Sequence, residues 1–317
     1  MQRDSSPVAI VFPGQGSQYA GMGREIYEYS DSAKECFHTA DRSLGKKLSS
    51  LCFEGSMEEL MLTENAQPAI LTHSIALYNE FSSLLEFSPK IYSGHSLGEY
   101  SALVASGALG FEDAVRLVRN RGRYMQSAVP VGTGSMAAII GIDIETVRAA
   151  MEKSRNGDVL EVANYNAPDQ IVIAGNGKAV ERCMENARTM GAKRCISLKV
   201  SAPFHCSLML PAAARLSDDL DRVEFGKMAV PVVANVNAQK VFNGEAFRRL
   251  LLEQVSKPVL WVECVRTIIK DGVRLFIEIG PGKVLAGLIK RIDKNVSVVN
   301  IEKPDDFNPA LQIIREG

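Results

Sequence analysis

The chain has 317 residues, 46% hydrophobic and 23% charged, which excludes disordered, collagenous and disulfide-scaffold classes and, at roughly 150 residues per domain, predicts about two compact units. Lys plus Arg total 36 and Asp plus Glu 37, so the net charge of −1 gives no electrostatic reason to expect nucleic acid as a partner. No segment approaches the roughly 18 apolar residues of a membrane span, the first apolar run is too short for a signal-peptide core, and the chain reads as cytoplasmic with no membrane association.

In chain order, residues 8–12 form a continuous apolar run ending at Pro13-Gly14, the pattern of a strand buried on both faces in a parallel sheet. A loop rich in Gly and Gln, residues 14–23, leads to helices over 33–44 and 68–85, the second with Pro68 in its first turn. A short strand at 91–93 is followed at once by Gly94-His95-Ser96-Leu97-Gly98 and a small-residue helix through Ala105. An amphipathic helix over 111–125 then carries Arg116, Arg119, Arg121 and Arg123. Gly and Pro punctuation at Pro130-Val131-Gly132-Thr133-Gly134 marks a boundary. Beyond it the order is strand 136–141, helix 144–153, strand 159–164, turn Asn166-Ala167-Pro168-Asp169, strand 171–174, helix 179–190 and strand 195–200, which is the ferredoxin-like β-α-β-β-α-β. After Pro203 the alternation resumes with helix 208–220, strand 230–236, helices 245–254 and 259–270, strand 274–279, helix 284–292 and strand 296–301. The tail from Lys303 is expected to be loosely held. The fold class is α/β: a parallel-sheet domain, residues 1–132 and 202–317, interrupted by a ferredoxin-like subdomain, residues 133–201.

The strongest chemical signal is Gly94-His95-Ser96-Leu97-Gly98, a G-x-S-x-G between a predicted strand and a predicted helix. Such a turn is a nucleophile elbow, which lifts a serine into the open at a helix N-terminus where N–H donors can stabilise an oxyanion. The pattern alone also fits a glycine-lined turn with a capping serine; the strand-turn-helix setting favours the elbow. A serine hydroxyl needs a base. His38 and His73 fall in helical patterns and His95 adjoins the nucleophile, where side chains diverge, so His205, in a loop at the domain boundary, is the best candidate. An acidic partner for it is not evident, because Asp158 and Asp169 sit in turns where Asp is ordinary. A neutral group, an amide or a main-chain carbonyl, then orients the imidazole. Gly14-Gln15-Gly16-Ser17-Gln18-Tyr19 lacks the last glycine of a dinucleotide fingerprint and Gly280-Pro281-Gly282-Lys283 lacks P-loop spacing, which disfavours NAD and nucleotide hydrolysis. The 6 cysteines show no C-x-x-C pair and read as reduced, mainly buried thiols; the 4 histidines show no zinc spacing, so no metal is expected.

Beside this reading stands a resemblance. Phe12-Pro13-Gly14-Gln15-Gly16-Ser17-Gln18, Gly94-His95-Ser96-Leu97-Gly98-Glu99-Tyr100, Arg121-Gly122, Gly132-Thr133-Gly134, Asn164-Tyr165-Asn166, Pro203-Phe204-His205-Cys206 and Gly280-Pro281-Gly282-Lys283-Val284-Leu285 resemble, in order, the motifs of the malonyl-CoA:acyl carrier protein transacylase family. The resemblance runs from Phe12 to about Ile301 and implies a hydrolase-like domain interrupted by a ferredoxin-like one. It implies that Ser96 is malonylated, that His205 is general base and acid, and that the backbone amides of Gln15 and Leu97 form the oxyanion hole. It implies that Arg121 binds the free malonyl carboxylate with its planar fork, that the main-chain carbonyl of Gln254 orients His205, and that Gln67 lines the site. Phe204, bulky before the histidine, resembles members that take malonyl where a small residue accompanies methylmalonyl. The implied function is ping-pong malonyl transfer from malonyl-CoA to acyl carrier protein, without metal or prosthetic group, in fatty-acid synthesis. A trans-acting acyltransferase of polyketide synthesis, a serine acyl-CoA hydrolase and a carrier-binding scaffold are the alternatives; Arg121 and the missing acid argue against the hydrolase, and the intact Ser96 and His205 against the scaffold. An acidic carrier would meet a basic face, with Lys283, Lys290 and Lys294 on one side of a helix or, failing that, Lys193 and Arg194.

Overall fold

Strand β1 (Val8–Phe12) is buried over its whole length. Its side chains alternate between two cores, Val8, Ile10 and Phe12 in one and Ala9 and Val11 in the other. A strand apolar on both faces must be covered on both, as in a parallel sheet between helices. The computed structural model, which describes residues 7–130, 132–200 and 202–316, has this arrangement. Residues 1–6, Val131 and Ser201, on which the N-terminal reading and parts of both expected boundaries fall, lie outside the described residues.

After β1 come α1 (Arg24–Tyr29), α2 (Asp31–Leu44), α3 (Leu48–Glu54), α4 (Met57–Met61), α5 (Thr63–Ser83), β2 (Ile91–Gly94), α6 (Gly98–Ala105) and α7 (Phe111–Ser127). The next run is β3 (Gly134–Ile140), α8 (Ile144–Glu152), β4 (Leu160–Ala167), β5 (Gln170–Asn176), α9 (Gly177–Thr189) and β6 (Arg194–Ser197). The chain continues through a 3-10 turn at Ser207–Met209 into α10 (Leu210–Leu220), β7 (Lys227–Val233), β8 (Lys240–Asn243), α11 (Ala246–Ser256), α12 (Trp261–Lys270), β9 (Leu275–Ile279), α13 (Val284–Ile292), β10 (Ser297–Ile301) and α14 (Phe307–Glu316).

The large sheet has the order β10-β9-β1-β2-β7-β8 and is parallel except for β8, which runs antiparallel to β7 at the edge. The small sheet has the order β4-β5-β3-β6, antiparallel throughout. Strand β3 shows why it sits where it does: Ala137 and Ile139 enter a separate core beneath α8 and α9, while Met136 and Ala138 join the main core of the larger unit. Among the described residues no helix is long and apolar enough to cross a membrane.

Several local expectations need correction. Helix α5 begins at Thr63, so Pro68 lies inside it rather than in its first turn. Proline has no N–H for the carbonyl of Glu64 one turn back, and that carbonyl instead accepts from Arg119 Nη1 at 3.0 Å. Strand β4 runs on through Asn166 and Ala167, beyond the strand end the sequence predicts, because the hairpin closes at Pro168-Asp169 alone. Short α3, α4 and β8 carry too few residues for a periodic signal. The tail is not loose: α14 buries Phe307 and Ala310, with the Phe307 ring 5.6 Å from that of Phe81.

Candidate active site

The site lies beyond the carboxyl ends of β1, β2 and β7, where open α/β sheets bind their ligands. Between β2 and α6 the chain reverses in Gly94-His95-Ser96-Leu97-Gly98. A Cβ on Gly94 would strike the Gly98 carbonyl, and one on Gly98 would strike the Phe12 carbonyl, so both glycines are needed for the turn to close against β1. Ser96 takes a left-handed conformation, φ 52°. That strained backbone turns its hydroxyl into a cavity of about 350 Å³. Gln15, in the loop after β1, lines the same cavity and is tied through Nε2 to Thr63 Oγ1 at 3.3 Å. The backbone N–H groups of Gln15 and of Leu97, the residue preceding α6, donate to no acceptor among the described residues.

His205 Nε2 lies 2.7 Å from Ser96 Oγ, and its Nδ1 lies 2.7 Å from the main-chain oxygen of Gln254 on α11. A carbonyl only accepts, so Nδ1 carries the proton and Nε2 is left to accept from the serine. The missing acid is thus replaced by a backbone carbonyl: Asp158 is paired with Arg182 at 2.7 Å and Asp169 with Arg291 at 2.7 Å, both away from His205. Burial, helped by the Arg121 charge, holds His205 far below its usual range, at about 3. The other histidines have separate partners: His38 meets Tyr27, His73 the carbonyl of Glu302, and His95 Asn166 Oδ1 at 2.8 Å.

Arg121 is brought in by close helix packing. A Cβ on its neighbour Gly122 would lie 2.7 Å from the Thr63 carbonyl oxygen, so only glycine lets α7 approach the start of α5 this closely. Arg121 is 1% exposed, and its fork donates to Gln67 Oε1 at 2.8 Å, to Gln254 Oε1 at 2.9 Å and to Ser96 Oγ at 3.1 Å. Arg116 and Arg119 on the same helix are ion-paired, whereas Arg121 belongs to no ion pair among the described residues. The guanidinium is thus buried next to the Ser96 hydroxyl with neutral hydrogen-bond acceptors around its fork. Phe204, 7% exposed, lines the cavity beside Met125 and Met136.

Three features escaped the sequence reading. Asn235, just past β7, accepts from Ser96 N at 2.8 Å and donates to Gly94 O at 2.7 Å, clamping both limbs of the elbow. The side chain of Gln254, not only its carbonyl, takes part, donating from Nε2 to Ser96 O at 3.0 Å. Glu99 is buried beneath them and desolvation pushes its carboxyl up to about 8. Buried amides and carboxyls of this kind carry no periodic signature. At the Gly280-Pro281-Gly282 loop, Glu278 accepts from Leu285 N at 2.9 Å and Ala286 N at 2.8 Å, capping α13. On α13, Lys290 is committed to the Val296 carbonyl and Arg291 to Asp169, so the expected three-lysine face is reduced to Lys283 and Lys294. Among the described residues no three His, Cys, Asp or Glu side chains are grouped to hold a metal ion.

A family model described as the acyl transferase domain matches residues 9–303, and the fold that carries this site is that of an acyltransferase. The malonyl CoA-acyl carrier protein transacylase of Bacillus subtilis is 48% identical over 312 residues, 98% of each chain. The structure of the malonyl CoA-acyl carrier protein transacylase of Coxiella burnetii matches with a TM-score of 0.95 at 41% identity over 98% of both chains. A malonyl-transacylase solved in complex with its type II PKS acyl-carrier protein matches with a TM-score of 0.94 at 42% identity, over 97% of this chain and 100% of that one. This chain belongs to the malonyl CoA-acyl carrier protein transacylase family.

Proposed function

We propose that the protein transfers a malonyl group from malonyl-CoA, through an ester on Ser96, to the phosphopantetheine thiol of acyl carrier protein in fatty-acid synthesis. The observation that carries this reading is the buried, unpaired Arg121 with its fork 3.1 Å from Ser96 Oγ, since an acyl group bearing a second carboxylate supplies the missing anion. In the first half-reaction Ser96 Oγ attacks the thioester carbon as His205 Nε2 takes its proton. The oxyanion forms against the N–H groups of Gln15 and Leu97, and collapse expels the CoA thiolate, which takes the proton from His205. In the second, His205 deprotonates the carrier thiol, which attacks the ester carbon, and Ser96 leaves with the proton. Gln254 holds the imidazole through its carbonyl, Gln67 holds Arg121, and Phe204 fills the space a branched acyl group would need. The division into residues 1–132 with 202–317 and 133–201 belongs to this reading, as do a cytoplasmic location and a carrier face using Lys283 and Lys294.

Intact-mass measurement after incubation with malonyl-CoA tests it. A persistent adduct of one malonyl group, discharged by added holo acyl carrier protein, is expected. Turnover to free malonate without carrier would make the protein a hydrolase, and no adduct at all would make it a scaffold. The structural relative bound to a type II PKS carrier supports the same chemistry on a polyketide carrier, so kcat/KM should be compared for the two carrier types.

The depressed His205 also has a pH consequence. The base must be neutral to accept the serine proton, and a group lowered to about 3 stays neutral as pH falls well below 6.5. The acylation kcat/KM with acetyl-CoA, which does not draw on the Arg121 fork, is therefore expected to stay flat from about pH 8 to about pH 5, which a single-turnover profile checks. An acid limb near 6.5 would mean that His205 titrates normally and that the cavity is wetter than its burial indicates.

A further inference from the structure

Gln254 touches three parts of the machinery at once. Its carbonyl holds His205, its Nε2 holds Ser96 O, and its Oε1 accepts from Arg121 Nη2. The last two contacts depend on which way the side-chain amide faces. Flipped, it would set an NH₂ against the Arg121 fork, donor against donor. The end that must carry nitrogen is the one facing Ser96 O, Asn235 Oδ1 and Glu99 Oε2, and Glu99 is the nearest of these acceptors. The other oxygen of Glu99 accepts from the backbone N–H of Asn235 at 2.7 Å, a donor that cannot turn away. Glu99 and Gln254 are both buried, so no solvent competes for the choice.

We infer that Glu99 is a positioning residue for acyl-group selection: in its ionised form, with both oxygens accepting, it fixes the Gln254 amide so that Oε1 faces Arg121, and thereby presents the Arg121 fork to the substrate carboxylate. The inference rests on the malonyl-transfer reading. Glu99 touches neither substrate nor the reacting atoms; it acts through Gln254. The Glu99→Gln variant isolates the effect, because it keeps shape and volume but has one acceptor and one donor. Its oxygen must go to the Asn235 N–H, leaving its NH₂ against Gln254 Nε2. Relief comes from turning the Gln254 amide, which removes the acceptor from Arg121.

The test measures Ser96 acylation by malonyl-CoA and by acetyl-CoA at about pH 9, above the value of about 8 for the Glu99 carboxyl, in wild type, Glu99→Gln and Glu99→Asp, each with a melting temperature. In Glu99→Gln the malonyl-to-acetyl ratio of kcat/KM is expected to fall by about 10-fold or more, the scale of one charge-assisted hydrogen bond. Acetyl transfer should change by less than about 3-fold, within the scale of a neutral hydrogen bond. Glu99→Asp keeps two acceptor oxygens on a shorter stem, so it should retain the ratio within about 3-fold while losing more thermal stability than the Gln variant, through the lost methylene. A purely structural role would reverse that order, with Asp more damaging than Gln to both substrates alike. That reversal, an unchanged ratio in Glu99→Gln, or equal losses for both acyl groups would overturn the inference. If Glu99→Gln does not fold, the Asp variant decides alone, and a ratio lost there overturns it. A wild type with no malonyl preference would overturn the functional reading and this inference with it, whereas a wild type with the preference and a Glu99→Gln variant that keeps it overturns this inference only.

Discussion

After incubation with malonyl-CoA, the Ser96→Ala protein is expected to keep its unmodified mass, while the His205→Ala protein acylates at least ~10²-fold more slowly than wild type, the cost of removing a positioned general base. Both expectations follow from one geometry. Ser96 Oγ is 2.7 Å from an imidazole nitrogen that must be an acceptor, because the other nitrogen is already donating to Gln254 O. Among the described residues that line the cavity, Ser96 is the only serine or threonine. The serine change removes the atom to which the acyl group would attach, so its effect is all or nothing. The histidine change leaves the nucleophile and the two free N–H groups, so a residual rate is expected. A malonyl adduct mapped by peptide sequencing to any other residue would remove Ser96 from the mechanism.

How far the site was legible in the sequence differs from residue to residue. The elbow could be read because its constraint is local: two glycines, a strand before and a helix after all lie within a dozen residues or so. His205 could be chosen only by elimination among 4 histidines, and the roles of Arg121 and Gln254 came through family resemblance, since their partners lie 25 and 49 positions away in the chain. Asn235 and Glu99 went unassigned. Each is a polar residue whose burial is imposed by tertiary packing, and a single Asn after a strand or Glu in a first helical turn looks like ordinary capping chemistry. The fold shows the same division. The doubly buried β1 announced a parallel sheet through its own composition, whereas α14 reads as a polar tail until Phe81 and Tyr29 are known to receive Phe307.

Replacing Arg121 by Ala is expected to reduce malonyl transfer by about 10- to 150-fold, the roughly 1.5 to 3 kcal/mol of a hydrogen bond to a charged group, while acetyl transfer is retained or gains. The asymmetry follows from what each acyl group offers. Malonyl carries a carboxylate that a bidentate guanidinium can hold as the thioester carbon meets Ser96 Oγ; acetyl carries a methyl group, which leaves the buried guanidinium unneutralised. Removing the arginine therefore costs malonyl an ion pair and spares acetyl the burial of an unpaired charge. A second effect travels with it. The Arg121 charge is one of the causes that lower His205, so its loss moves the histidine upward, toward the ordinary 6.5. The acid limb of acetyl transfer in Arg121→Ala should accordingly lie at higher pH than in wild type assayed with the same substrate. Parallel profiles with malonyl-CoA and acetyl-CoA, on wild type and variant, measure both effects. Equal losses on the two substrates would make Arg121 a packing residue, held by Gln67 and Gln254 for the sake of the fold. An acid limb that does not move would mean that burial alone sets the state of His205, leaving the arginine to act only on the substrate.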